Sequence, residues 1–277
     1  MEYGRLIALV SQEVGADQAT THRVVQAALQ KLQAAGRGPA EIGELVDDLY
    51  MMSVEVPGGS PAGSAKLIQL EQSGKQRSVH EIGAGLVIGS QGDLAFPDDE
   101  FLSAEHARVA FRGNRLYVTD LGSRNGSFVR VQSPEVLVHD DVFLMGRQVF
   151  RFIELERSHD TAEAPGALGS PPPAKAFAVQ LLGVAGAVYD MKRLGTEPLV
   201  MGRNPNPPQG PGTADLMSFT GDTFISGTHG GVFLEDGRWM LRDLGSSNGT
   251  WLRVRGDRVL DQGDEIFVGK EVLRVEM

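Results

Sequence analysis

Cysteine is absent from this sequence. Its absence excludes disulfide scaffolds, thiolate zinc sites and cysteine nucleophiles. No run approaches the roughly 18 to 20 apolar residues that a helix needs to cross a bilayer. The opening MEYGRLIALVSQEVG carries the acidic Glu2 and no cleavage pattern of a secretory leader. The expectation is a protein without membrane insertion that works in the cytoplasm. Positive charge is scarce as well: 26 Lys and Arg stand against 36 Asp and Glu, for a formal net charge of −10. None of the segments 1–57, 65–157 and 176–277 is net basic. Nucleic-acid binding by counterion release is therefore disfavoured, and any anion must be held by a few placed groups. There is no P-loop, no G-x-S-x-G, no H-E-x-x-H and no carboxylate pair with a supporting base. Neither an enzyme nor a cofactor or metal site is expected.

What the chain does contain is a repeat. FLSAEHARV begins at Phe101 and FISGTHGGV at Phe224, while DLGSRNGSFVRV begins at Asp120 and DLGSSNGTWLRV at Asp243. Ser103 maps to Ser226, His106 to His229, Asn125 to Asn248 and Gly146 to Gly269, always 123 positions apart. An upstream element, LVIGS ending at Ser90 and LVMGR ending at Arg203, keeps an offset of 113, because the second copy has ten additional residues. They lie within NPNPPQGPGTADLMSFTGD, whose Pro and Gly content reads as a longer surface loop. Two copies of one domain are the economical reading.

Around the repeats the chain divides further. Apolar residues at Leu6, Ile7, Leu9, Val10 and Val14, at Val24, Val25, Ala28, Leu29 and Leu32, and at Ile42, Leu45, Val46 and Leu49 predict three short helices within 1–55. So small a bundle gains by packing on itself, which suggests a homodimer or a partner-binding module. Residues 56–65 (VPGGSPAGSA) read as a flexible linker, and 158–175 as a second one, rich in Pro, Gly and Ala and stiffened by Pro171, Pro172 and Pro173. The segments 66–157 and 176–277 break into short β-branched and aromatic runs with turns between them, as in a β-sandwich. The expected fold class is mainly β: two antiparallel sandwiches preceded by a small α-helical domain.

The ordered elements, G-R (G-S in the first copy), S-x-x-H and N-G-[ST], each time followed by a Gly-containing apolar strand, resemble the forkhead-associated (FHA) domain. The resemblance covers roughly 65–157 and 176–277 and implies two phosphothreonine-recognition sandwiches. A phosphothreonine presents about −1.5 to −2 charges and three acceptor oxygens. On an acidic protein that calls for a guanidinium, hydroxyls and backbone N–H groups converging from separate loops. The second copy has such a set in Arg203, Ser226, Gly227, Thr228, Ser247 and Asn248. The resemblance implies that Arg203 and Ser226 contact phosphate and that Ser247 and Asn248 position the peptide. It also implies that His106 and His229 brace the binding loops. Gly126 and Gly249 are assigned to loop support, and Asp120 and Asp243 to tying down turns.

The first copy departs from the pattern. Ser90 stands in place of the phosphate-binding arginine, Ser103 and Asn125 are retained, and Arg124 takes the position of Ser247. Either Arg124 restores a positive charge from the opposite loop, or this copy has become phosphate-independent or weak. The second reading is favoured, because a guanidinium moved between loops changes its bidentate geometry. The acidic LAFPDDE at 94–100 leans the same way. The resemblance implies a non-enzymatic adaptor that binds threonine-phosphorylated proteins downstream of a Ser/Thr kinase. The alternative is a phosphate-independent scaffold of a multiprotein or secretion-type assembly. Thr161, in the linker sequence HDTAEA, is a candidate phosphosite for self-recognition.

Overall fold

The structure, a computed structural model, describes residues 64–71, 73–83, 85–112, 114–155, 176–183, 188–194, 197–206 and 214–277. These residues form twenty β-strands and no helix. The expected fold class is corrected accordingly, to mainly β without an α-helical component among the described residues. The helical segment expected in 1–55 lies outside them, as do the 158–175 linker and Thr161.

The first copy supplies β1 (Ala65–Leu70), β2 (Gln76–Ile82), β3 (Gly85–Gly89), β4 (Leu94–Ala95), β5 (Ala107–Arg112), β6 (Arg115–Asp120), β7 (Ser127–Arg130), β8 (Glu135–Leu137), β9 (Val142–Met145) and β10 (Gln148–Leu155). The second supplies β11 (Ala176–Leu182), β12 (Val188–Leu194), β13 (Leu199–Gly202), β14 (Asp215–Ser218), β15 (Gly230–Glu235), β16 (Arg238–Asp243), β17 (Thr250–Arg253), β18 (Asp257–Leu260), β19 (Glu265–Val268) and β20 (Glu271–Glu276). Side chains alternate between faces in a strand. Phe150 and Phe152 of β10 are accordingly buried around the more exposed Arg151, and Leu273 and Val275 of β20 around Arg274.

The described strands fall into two compact units. The first runs to Ser127 and resumes at Val254; the second is Phe128–Arg253. In the first, one sheet has the order β19-β20-β1-β2 and the other β18-β6-β5-β3-β4. In the second, the orders are β12-β11-β10-β9-β17-β7 and β14-β13-β15-β16-β8. The copies have exchanged their C-terminal strands. β6 pairs with β18, Leu116 opposite Leu260, and β16 with β8, Trp239 opposite Leu137. β1 pairs with β20, Leu67 opposite Val275, whereas β10 pairs with β11, Phe152 opposite Val179. The sequence repeats 66–157 and 176–277 therefore do not coincide with the compact units, each of which is built from both copies.

The core of the second unit shows the same mixing. Phe143, Phe150 and Phe152 from the first copy pack with Phe177, Leu199, Met201 and Trp239 from the second. Ring centroids lie 4.4 Å apart for Phe177 and Trp239 and 5.7 Å apart for Phe152 and Phe177. Burying each such ring contributes on the order of 2 kcal/mol. In the first unit Leu67, Ile88, Leu116 and Val118 are buried, as are Leu260, Ile266, Leu273 and Val275 from the distant C-terminal strands. β14 runs parallel to β13 and buries Met217, as β4 runs parallel to β3 and buries Leu94 in the first copy, so the ten additional residues fall between β13 and β14.

Candidate functional site

The second unit gathers the residues singled out in the second copy. Gly202 ends β13 and Arg203 follows it; Ser226, Gly227 and Thr228 lie between β14 and β15; Ser247 and Asn248 lie between β16 and β17. Backbone bonds join the first two loops: Arg203 N–H donates to the Ser226 carbonyl at 2.8 Å, and Asn204 N–H to that of Gly227 at 3.0 Å. So close an approach needs glycine at 202, because a Cβ there would collide with the Gly227 carbonyl oxygen. The third loop is tied in when Ser247 N–H donates to Ser226 Oγ at 3.0 Å and Asn248 Nδ2 donates to the Phe224 carbonyl at 2.8 Å.

His229 is buried beneath this junction. Its Nδ1 accepts the Ser226 N–H at 3.0 Å, and its Nε2 lies 3.0 Å from the Gly249 carbonyl oxygen. Those partners require a neutral ring with the proton on Nε2. Burial pushes its pKa below the usual histidine value, although the bond to Gly249 and the nearby Asp243 and Asp222 oppose this. Asp243 holds the β16–β17 turn: its carboxylate accepts the N–H groups of Gly245 and Ser246 and the hydroxyls of Ser246 and Thr250, at 2.6 to 2.9 Å. Burial alone would raise the Asp243 pKa, but bonds from Ser246, Thr250 and Gly245 outweigh it and hold the carboxyl below its ordinary value.

These contacts leave a particular set of donors. Ser226 Oγ and Thr228 Oγ1 each accept one backbone N–H, from Ser247 and Asn206 respectively, and keep a hydroxyl proton to give. Arg203 is exposed, and among the described residues its guanidinium has no hydrogen-bond or ion-pair partner. A cation and two hydroxyl donors on loops fixed to one another supply the kinds of group that a multiply charged oxyanion takes as partners.

The first unit repeats the scaffold without the cation. Ser90 N–H donates to the Ser103 carbonyl at 3.0 Å, and Ser103 N–H to His106 Nδ1 at 3.2 Å; His106 Nε2 lies 3.1 Å from the Gly126 carbonyl oxygen. Arg124 N–H donates to Ser103 Oγ at 3.1 Å, and Asn125 Nδ2 to the Phe101 carbonyl at 2.8 Å. The Arg124 guanidinium donates to the Glu100 carbonyl at 2.9 Å. Asp120 ties the turn as Asp243 does, through Ser123 and Ser127; burial opposes its ionisation, and these bonds overcome that and lower its pKa.

Sequence reasoning missed Asp99 and Asp222. Asp222 is buried, and its carboxylate accepts Phe224 N–H at 2.8 Å, Arg147 N–H at 3.0 Å and Gln148 Nε2–H at 2.9 Å. Asp99 likewise accepts Phe101 N–H at 2.9 Å and Lys270 N–H at 2.6 Å. The Asp99 carboxylate, read above as a source of repulsion, is therefore committed to backbone donors. The signal was present in the sequence: Asp, Phe and Ser recur with one spacing at 99, 101, 103 and at 222, 224, 226.

No curated protein matches this chain. Among solved structures, a chain from a structural and functional analysis of phosphothreonine-dependent FHA domain interactions is 22% identical; the match covers 37% of this chain and 96% of that one, with a TM-score of 0.19. Mycobacterium tuberculosis EmbR in complex with a low-affinity phosphopeptide is 21% identical over 55% of this chain and 40% of that one, with a TM-score of 0.22. At such scores the likeness is local and adds nothing to the sequence match. The family model described as the FHA domain matches at residues 80–146 and again at 199–269, so the chain carries two FHA domains.

Proposed function

We propose that this protein is a non-enzymatic adaptor that binds threonine-phosphorylated partners, through the Arg203 site of the second unit. The observation that carries this reading is the Arg203 guanidinium, unpartnered among the described residues, on a loop bonded to the one bearing Ser226 and Thr228. In such a complex Arg203 and the Ser226 hydroxyl hold phosphate oxygens, Thr228 adds a further donor, and Ser247 and Asn248 face the peptide. With Ser90 in place of the arginine and Arg124 turned to Glu100, the first unit binds phosphate weakly or not at all. A Ser/Thr kinase would supply the ligand, and the cytoplasm is where the two would meet.

The test uses the full chain, because each unit draws strands from both copies. Titration against an oriented phosphothreonine library, with unphosphorylated and phosphoserine controls, should give phosphate-dependent binding. Arg203→Ala should weaken it by about one to two decades, the weight of a charge-assisted hydrogen bond. Binding indifferent to phosphate or to Arg203 in the folded chain would turn the assignment to a phosphate-independent scaffold.

A further inference from the structure

The β9–β10 turn of the first copy lies against the binding loop of the second. Gly146 approaches Ile225 so closely, at φ +59°, that an added Cβ would collide with its side chain. The next residue, Arg147, donates its backbone N–H to Asp222. Its guanidinium carbon lies 4.0 Å from the centroid of the Phe224 ring, which is 37% exposed. Arg147 is exposed too, and among the described residues its guanidinium has no hydrogen-bond or ion-pair partner. A recess of about 260 Å³ opens there, lined by Arg147, Gln148, Phe219, Gly221, Asp222 and Thr223. Two of its segments lead to the Arg203 and Ser226 loops. Phe219 N–H donates to the carbonyl of Gly202, which precedes Arg203, and Phe224 lies two residues before Ser226.

The first unit provides an internal comparison. Lys270 there takes the part of Arg147: its N–H meets Asp99 and its ammonium lies 4.9 Å from the centroid of Phe101. That cation is closed off by Glu100, at 3.2 Å. The residue corresponding to Glu100 in the second copy is Thr223, which carries no charge. Among the described residues the one carboxylate lining the recess, Asp222, is buried, accepts three N–H donors and interacts with the Arg147 guanidinium through space, without an ion-pair contact. One unit thus neutralises its cation, and the other presents a guanidinium backed by an aromatic face, with its N–H edges open to an anion.

We infer that Arg147 and the recess at Thr223 form a second anion subsite of the phosphopeptide site, which selects peptides carrying an acidic or second phosphorylated side chain beside the phosphothreonine. This rests on the reading of Arg203 as the phosphate ligand, and it makes a residue of the first copy a specificity determinant for the second. The ligand chemistry is an anionic side chain, and carboxylate or phosphate can each supply it.

The experiment titrates the full-length chain with a phosphothreonine peptide whose flanks are alanine, then with peptides in which one glutamate or one phosphoserine is scanned through the flanking positions. One position should favour the anion by about fivefold, the upper range for an exposed charge pair. The ratio of alanine to glutamate dissociation constants at that position should fall to near one in Arg147→Gln. It should fall equally in Thr223→Glu, which gives the second unit the closed pair of the first. A phosphoserine advantage well beyond that of glutamate assigns the subsite to a doubly phosphorylated ligand; equal effects assign it to a carboxylate. Arg203-dependent binding with no anion preference, or a preference that survives both substitutions, overturns this inference alone. Absence of any Arg203-dependent phosphopeptide binding overturns the phosphothreonine reading and this inference with it.

Discussion

His229 is the residue on which the binding loop is hung, and its proton inventory makes a prediction. A second proton would have to go to Nδ1, which already accepts the Ser226 N–H. Its pKa in the folded chain lies below the ordinary histidine value of 6.5. The neutral ring's contribution to stability is therefore complete above that value and is lost as pH falls from it through the folded pKa. The urea midpoint of the second unit should decline as pH is lowered from 7 to 5, and the His229 ring carbon resonances should report titration below the usual histidine range. Peptide affinity is the wrong readout, since phosphate itself takes a proton near pH 6. Asp243 acts at lower pH with the same sign: its depressed pKa gives stability that is present above the ordinary carboxylate value of 3.8 and lost as acid protonates it. Asp243→Ala, which leaves two N–H groups and two hydroxyls of the turn without their acceptor, should cost about 2 kcal/mol in chemical denaturation. The turn-tying aspartates were legible in the sequence because each sits next to its own turn. For Asp222 the repeated spacing marks the residue but not its role, because its partners Arg147 and Gln148 lie in another copy.

Among the elements, β13 makes the sharpest demand. It must end on a residue without a side chain so that the Arg203 and Ser226 loops can share backbone bonds. Gly202→Ala should lower the stability of the unit by about 1 to 3 kcal/mol and weaken phosphopeptide binding at least as much as Arg203→Ala does, with calorimetry and titration as the two readouts. Gly89 has the same relation to Ala104, so the constraint holds whether the next residue is Arg203 or Ser90. Most strands were readable from their two-residue alternation, as in β10 and β20, where the buried side chains are aromatic or branched. β14 was not, because its four residues, DLMS, follow a stretch dominated by proline and glycine, and its pairing with β13 is parallel and nonlocal.

At the scale of the molecule, the exchange of C-terminal strands was beyond sequence reasoning for a definite reason. The pairs Leu116 with Leu260 and Trp239 with Leu137 occupy equivalent positions of the two copies, so the same pattern satisfies either partner. A chain cut after Arg253 distinguishes the arrangements. It removes β18, β19 and β20, and with them the partners of β6 and β1. Hydrogen exchange should then become fast in 65–82 and 115–120 of the first copy, while 199–202 and 230–243 of the second stay protected. Protection lost from 238–243 instead would mean that each copy pairs with itself. The pairing of Lys66 with Glu276 also sets a schedule. At roughly 5 to 20 residues per second, about 10 to 40 s of synthesis separate these partners. In the later part of that interval β10, with buried phenylalanines in the register of β20, has been made and offers β1 a rival edge. A pause in translation that lengthens this wait is expected to raise the share of chains in which β1 pairs within its own copy.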